Sequence, residues 1–253
     1  MTTRPAVLSL DKALSILACF ESGEPLGVAE LGRRLGLHQT IVSRMLATLE
    51  AAGYVQQLGE RGKYVIGVQP LVLANAALEQ LPLRRTALPA LTRLADAERV
   101  DTNLGILHDG LVLYLAHVSR DPELRAYAFI GKRVPVHCTA LGKALLLDAT
   151  PDGVAALTGR AGLEARTHNT ITTLDALLAD LESSRERGFT VEREELRPGV
   201  ACVATPLPGA VARGVVAAAI SLSLPAHDLS PVRLAALGRA VLDTAYGIGQ
   251  LLG

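Results

Sequence analysis

Between residues 26 and 54 apolar positions recur at helical spacing in two successive runs. Val28, Leu31 and Leu35 make one stripe and Gly36 interrupts it. Ile41, Met45 and Leu49, with Val42 and Leu46 beside them, make the next. Two helices joined by so short a corner must cross steeply, which is the helix-turn-helix arrangement. The second helix then turns Gln39, Thr40, Ser43 and Arg44 outward. Short polar side chains and a guanidinium are the residue types that read base edges and phosphates in a major groove. Gly27 stands at the N-cap of the first helix with Glu30 three residues on, half of a capping box. The segment Tyr54–Leu58, the turn Gly59-Glu60-Arg61-Gly62 and the segment Lys63–Ile66 predict a β-hairpin. Such a hairpin directly after the helix pair makes a winged domain, with Arg61 and Lys63 placed to touch phosphates. The alternative is a three-helix bundle whose charged face is merely solvated.

Ser9 is positioned to cap an opening helix carrying Leu10, Leu14 and Leu17. Pro70 suits the first turn of a connecting helix with Leu71, Ala74 and Leu78 on one face. A helix follows to about Arg99, with Pro89 kinking or restarting it. From Asp101 the period changes. Leu104–Leu107 and Leu111–Val118 are strands joined through His108-Asp109-Gly110, and 124–129 predicts another. Gly131–Pro135 reads as a loop into a helix opened by Thr139. Pro151 starts a short helix, and Thr173 caps a longer one that Gly188 ends. Strands are expected at 189–193, 200–206 and 214–224, and Ser230-Pro231 opens a last long helix. This order gives an α+β fold: residues 1–67 as the winged domain, 68–80 as a linker helix, and 81–253 as an antiparallel sheet flanked by helices.

Composition narrows the partners. The 253 residues carry 25 basic and 25 acidic side chains, so no global basic coat exists and nucleic-acid affinity must come from local placement. Cys19, Cys138 and Cys202 form an odd set without paired spacing, which suits free thiols in a reducing compartment. The start lacks a signal-peptide pattern and the longest apolar run is short of a membrane span. A cytoplasmic protein without a membrane partner is expected.

The segments HCTALGKALL (137–146), GFTVEREELRPGVACVATPL (188–207) and AISLS (219–223), behind a winged helix, closely resemble the IclR family of bacterial transcriptional regulators. The resemblance covers the chain from about Ser9 to the last helix. It implies a linker helix that pairs subunits, a C-terminal GAF-like effector domain, and homodimers or dimers of dimers. It also implies double-stranded operator DNA and a small organic metabolite as partners, repression being the more usual outcome and activation the other. In the recognition helix, Gln39-Thr40-Ile41 stands where the family often has Lys-Ser-Thr, and Glu192 stands where some relatives have Asp.

The effector pocket implied by the resemblance maps onto Ala140, Leu141, Glu192, Val200, Cys202, Ser221 and Ser223. Strand alternation puts Ser221 with Ser223, and Val200 with Cys202, on shared faces. Thr139-Ala140-Leu141 also open a helix, whose N–H groups suit a carboxylate, whereas an ionised Glu192 favours a hydroxyl, an amine or a cation. The bland reading of the same residues is a tightly packed strand core. His137-Cys138 with Cys202 raise a thiol nucleophile or a zinc site, but no third ligand has metal spacing, so neither metal nor cofactor is expected. Glu192, Glu194 and Glu195 read as a solvated strand end. His108, His117, His168 and His227 read as surface residues. A small-molecule enzyme and a protein-binding adaptor are the competing functions.

Overall fold

The computed structural model describes residues 7–59, 62–120, 128–208 and 217–252. The chain divides into two compact units, Met1–Gln80 and Leu81–Gly253.

In the first unit α1 (Leu8–Ala18) leads through a short 3-10 turn to α2 (Val28–Leu35) and α3 (Gln39–Ala51). Ile16, Phe20, Leu26, Leu31, Val42, Leu46, Val55 and Tyr64 form its core. Gly36 ends α2 in the left-handed conformation (φ 66°), and Leu37 N–H bonds the Gly32 carbonyl at 2.9 Å, which fixes the corner. Strands β1 (Val55–Gln57) and β2 (Tyr64–Ile66) pair antiparallel, and Leu26 bridges to Tyr64 on the far side of β2. Three expectations change. Val7, not Ser9, precedes α1, and Ser9 lies within the helix. Ile41 is exposed, because Ile41 and Val42 are adjacent and α3 can bury only one of them. Glu30 pairs with Arg34 one turn on instead of reaching back to Gly27. The unit closes with α4 (Gln69–Glu79), an apolar helix in which no residue is buried.

The second unit is a six-stranded antiparallel sheet between two helical layers. Its strands are β3 (Asp101–His108), β4 (Leu111–Val118), β5 (Arg133–Pro135), β6 (Thr190–Arg193), β7 (Val200–Pro206) and β8 (Ala218–Pro225), in the order β5-β4-β3-β8-β7-β6. Helices α5 (Pro82–Glu98) and α9 (Pro231–Leu252) cover one face. Leu91, Leu104, Val203, Ile220, Leu222, Leu237 and Val241 fill that interface. Pro89 sits within α5, so the helix neither restarts nor ends there. Helices α6 (Ala140–Leu146), α7 (Pro151–Ala161) and α8 (Leu174–Arg187) lie with the other face, over a smaller core of Val112, Leu141, Leu145, Leu177 and Leu181. Gly105 admits α6 to the sheet: a Cβ there would stand 2.8 Å from Val112 Cγ1 and 3.3 Å from Leu141 Cδ1. The segment read as a loop before Thr139 contains β5, whose Val134 pairs with Val112; three residues are too few to show a period. Of the strand expected at 124–129, residues 124–127 lie outside the described residues, and Ala128 and Phe129 are in no strand. The start expected for β8, residues 214–216, also lies outside them, and the strand is described from Ala218.

Candidate functional sites: an exposed helix face and a polar pocket

Helix α3 is held from inside by Val42 and Leu46, with Met45 and Leu49 half buried, which leaves Gln39, Thr40, Ser43 and Arg44 all exposed. Its N-cap is His38, whose Nδ1 accepts the Thr40 N–H at 3.3 Å. The sequence reading overlooked that cap, because histidine is not among the usual capping residues. On the hairpin Lys63 is exposed, and Leu58 N–H bonds the Lys63 carbonyl at 2.8 Å; Arg61 lies outside the described residues. Gln57 closes the described part of the turn, its Nε2 donating to the Gly62 carbonyl at 3.0 Å. The wing therefore presents one described cation beside the helix face.

In the second unit, β4, β6, β7, β8 and the start of α6 enclose a cavity of about 440 Å³, a size that suits a small organic ligand. Ala140, Leu141, Glu192, Val200, Cys202 and Ser221 line it, six of the seven positions singled out above. Ser223 stands one step beyond, its Oγ 3.2 Å from Cys202 Sγ. Thr139 caps α6 through Gly142 N–H at 3.0 Å. Near the pocket's mouth stand cationic groups that the sequence reading did not assign: Lys132, Arg133, Arg166 and Arg197 all line it. Burial, and then the neighbouring Arg197, lower the Lys132 pKa. Tyr114 lines the wall too, and burial pushes its phenol well up.

Among the described residues that line the pocket, Glu192 is the one carboxylate. Far from being solvated, it is 2% exposed, and its Oε1 accepts the N–H groups of Glu195 at 2.6 Å and Leu196 at 3.2 Å. Burial is the largest cause that pushes its pKa up to about 7; the two N–H bonds oppose it. Glu195 is buried as well and meets Lys143 Nζ at 2.8 Å, while Asp180 of α8 meets the same Nζ at 3.1 Å. Lys143 is itself fully buried on α6. So the acidic run read as a strand end is half inside: Glu192 faces the pocket and Glu195 is locked to a buried cation. The reason is the tight turn after β6, in which Glu194 takes φ 57° and its N–H bonds the Val200 carbonyl at 2.8 Å.

Cys202 is a poor nucleophile. Burial raises its pKa well above the ordinary thiol value, and Glu192 raises it further. Cys138 is pushed up to about 12, again by burial first. His137 is buried with Nε2 3.1 Å from the Glu164 carbonyl, and burial lowers its pKa. His117 corrects a second expectation. Its side chain is only 11% exposed, with Nδ1 2.8 Å from Asn103 Oδ1 and Nε2 3.8 Å from Asp101 Oδ2. Asn103 and Asp101, both buried, were not singled out by sequence, where DTN reads as a polar strand start. His108, His168 and His227 are exposed as expected.

Against known proteins, residues 9–59 match the IclR helix-turn-helix domain and residues 75–250 match the family described as bacterial transcriptional regulator IclR C-terminal. The chain is 33% identical over 239 residues to the HTH-type transcriptional regulator BhcR of Paracoccus denitrificans, covering 94% of this chain and 85% of that one. It is 30% identical over 253 residues to the HTH-type transcriptional repressor AllR of Salmonella typhimurium, covering 100% and 92%. In structure it is similar to an IclR homologue of Microbacterium hydrocarbonoxydans complexed with 4-hydroxybenzoate, with TM-score 0.79, 24% identity, and 96% and 98% of the two chains covered. With the helix-turn-helix domain in front of the matched C-terminal domain, this chain belongs to the IclR family of bacterial transcriptional regulators.

Proposed function

We propose that Gln39, Thr40, Ser43 and Arg44 dock into the major groove of an operator, that Lys63 and Arg61 steady the wing on adjacent phosphates, and that a small metabolite in the pocket controls occupancy. The observation that supports this reading most is the exposed face of α3, four polar side chains on a helix whose other side is fully committed to the core. The pocket residues in this reading are Ala140, Leu141, Glu192, Val200, Cys202, Ser221 and Ser223. Repression is the expected sense, as in the AllR relative, which is named a repressor. The chain works by binding rather than turnover; its buried, high-pKa thiol supports that.

Pairing of chains belongs to the same reading. Along α4, Leu71 is 72% exposed and Val72 58%, an apolar surface that a second copy would cover. A homodimer, or a dimer of dimers, would set two recognition helices about 34 Å apart, one turn of DNA. No described helix is long and apolar enough to cross a membrane, in keeping with a cytoplasmic regulator. Fluorescence anisotropy on DNA from the chain's own upstream region tests the proposal. Binding should weaken steeply with salt, by roughly tenfold or more between 50 and 200 mM. An affinity indifferent to salt and to DNA sequence would reject it.

A further inference from the structure

One polar row crosses five adjacent strands on the pocket face of the sheet: His117 on β4, Asn103 on β3, Ser221 and Ser223 on β8, Cys202 on β7 and Glu192 on β6. The register places Asn103 opposite both His117 and Ser221, and Cys202 opposite both Ser223 and Glu192. The links are continuous. His117 Nδ1 is 2.8 Å from Asn103 Oδ1, Asn103 Nδ2 is 3.2 Å from both seryl oxygens, and Ser223 Oγ is 3.2 Å from Cys202 Sγ. Glu192 is the cross-strand neighbour of Cys202 at the end of the row.

Counting protons gives this row a direction. Asn103 Nδ2 holds two protons, one for each seryl oxygen, and the Ser223 O–H is left for Cys202. Its sulfur then accepts from Ser223, whose one O–H is thereby used. Ser223 can only accept from Asn103, which fixes Nδ2 toward the serines and Oδ1 toward a protonated His117 Nδ1. Asp101 stands across the ring, its Oδ1 held by Arg120 N–H at 2.6 Å. The second Nδ2 proton goes to Ser221, whose own O–H is left to point into the pocket that Ser221 lines.

We propose that Asn103 and His117, neither of which lines the pocket, are positioning residues that set its polarity: they make Ser221 a donor in the same pocket as the acceptor Glu192, so the site selects a hydroxy acid over the matching oxo or deoxy acid. The carboxylate takes the Ser221 O–H and faces Arg166, Arg197 and Lys132 at the mouth; the hydroxyl donates to Glu192. An oxo group in its place sets lone pairs against a carboxylate, and a methylene leaves that carboxylate unmatched. This inference rests on the pocket being the effector site, but it can be read without DNA.

The test is calorimetry on the full chain at pH 8, where Glu192 is mostly ionised, with lactate against pyruvate and propionate, and malate against succinate. Lactate and malate should bind at least about tenfold more tightly than their partners. Asn103→Asp keeps the shape but puts an acceptor where Nδ2 donates to both serines, so the Ser221 O–H turns away from the pocket and the preference should collapse. In the same variant the S–H stretching band of Cys202, assigned by difference from Cys202→Ala, should move, a readout that mere loss of packing in a remote strand would not produce. Equal binding of the paired acids, binding of none, or an S–H band unmoved in Asn103→Asp each overturns the inference. Hydroxy-acid preference in a chain that shows no DNA affinity would uphold it and count only against the operator reading.

Discussion

The two functional surfaces are built on opposite terms. On α3, Gln39, Thr40, Ser43 and Arg44 are exposed to water, and of the four only Thr40 has a side-chain hydrogen bond, its Oγ1 3.1 Å from His38 Nδ1. In the second unit, Asn103, Glu192 and Ser221 on the pocket face of the sheet and Lys143 on α6 are buried and matched, Glu192 by its own following turn and the others by a distant segment. A buried polar group without its partner costs about 1–3 kcal/mol, and a buried charge more. The lesson is that the exposed positions of α3 can change with little cost to stability, whereas the pocket can change only together with its supports.

The contrast breaks most visibly at Lys143. Lys143→Ala leaves Glu195 without its buried cation, and Asp180 of α8 without its own; the expected loss is about 3–5 kcal/mol. Urea unfolding should show it, and a loss within ordinary surface scatter would mean that water reaches the cluster.

Glu192 comes next. Its pKa is about 7 in the fold against 4.5 unfolded, so the folded chain holds the extra proton. The stability from this raised pKa is complete below about 4.5 and is lost as pH rises through about 7, on the order of 3 kcal/mol at most. Glu195, Cys202, Cys138 and Tyr114 crowd the carboxylate, and Arg166, Arg197 and Lys132 line the same pocket. Only a difference between chains isolates it. Glu192→Gln should gain on the native chain between pH 5 and pH 8, and parallel pH profiles would place the titration elsewhere.

The smallest expected effect sharpens the comparison from the other side. Arg44→Ala should leave the melting curve within about 0.5 kcal/mol of the native one. It should weaken operator binding by about 1–3 kcal/mol if Arg44 reads a guanine. If only the salt dependence falls, by about one unit, the contact is to a phosphate. Loss of stability in this variant would show that α3's outer face is not separate from its core.

This difference also explains what could be read from sequence. The recognition helix was legible because its whole logic lies within one stretch: a period, a corner glycine and an exposed remainder. Thr139 and Thr173 as caps, and the Asp109-Gly110 turn, are local in the same sense. Six of the pocket positions were found through motif resemblance rather than periodicity. Asn103 and His117 escaped both, since Asn103 meets Ser221 across 118 positions of sequence and a pairing register has to exist before that contact does. Glu195 was misread for a related reason: its cation sits 52 positions away on α6, and nothing near Glu195 announces it.

Helix α4 carries one more consequence. It has no cover within its own unit, so dilution alone would work against any pairing that hides Leu71 and Val72. Under the pairing proposed above, how many copies a cell holds becomes an input alongside the metabolite. A fragment cut before Gln69 would stay dispersed at concentrations where the full chain associates, yet it would grip only one half-site.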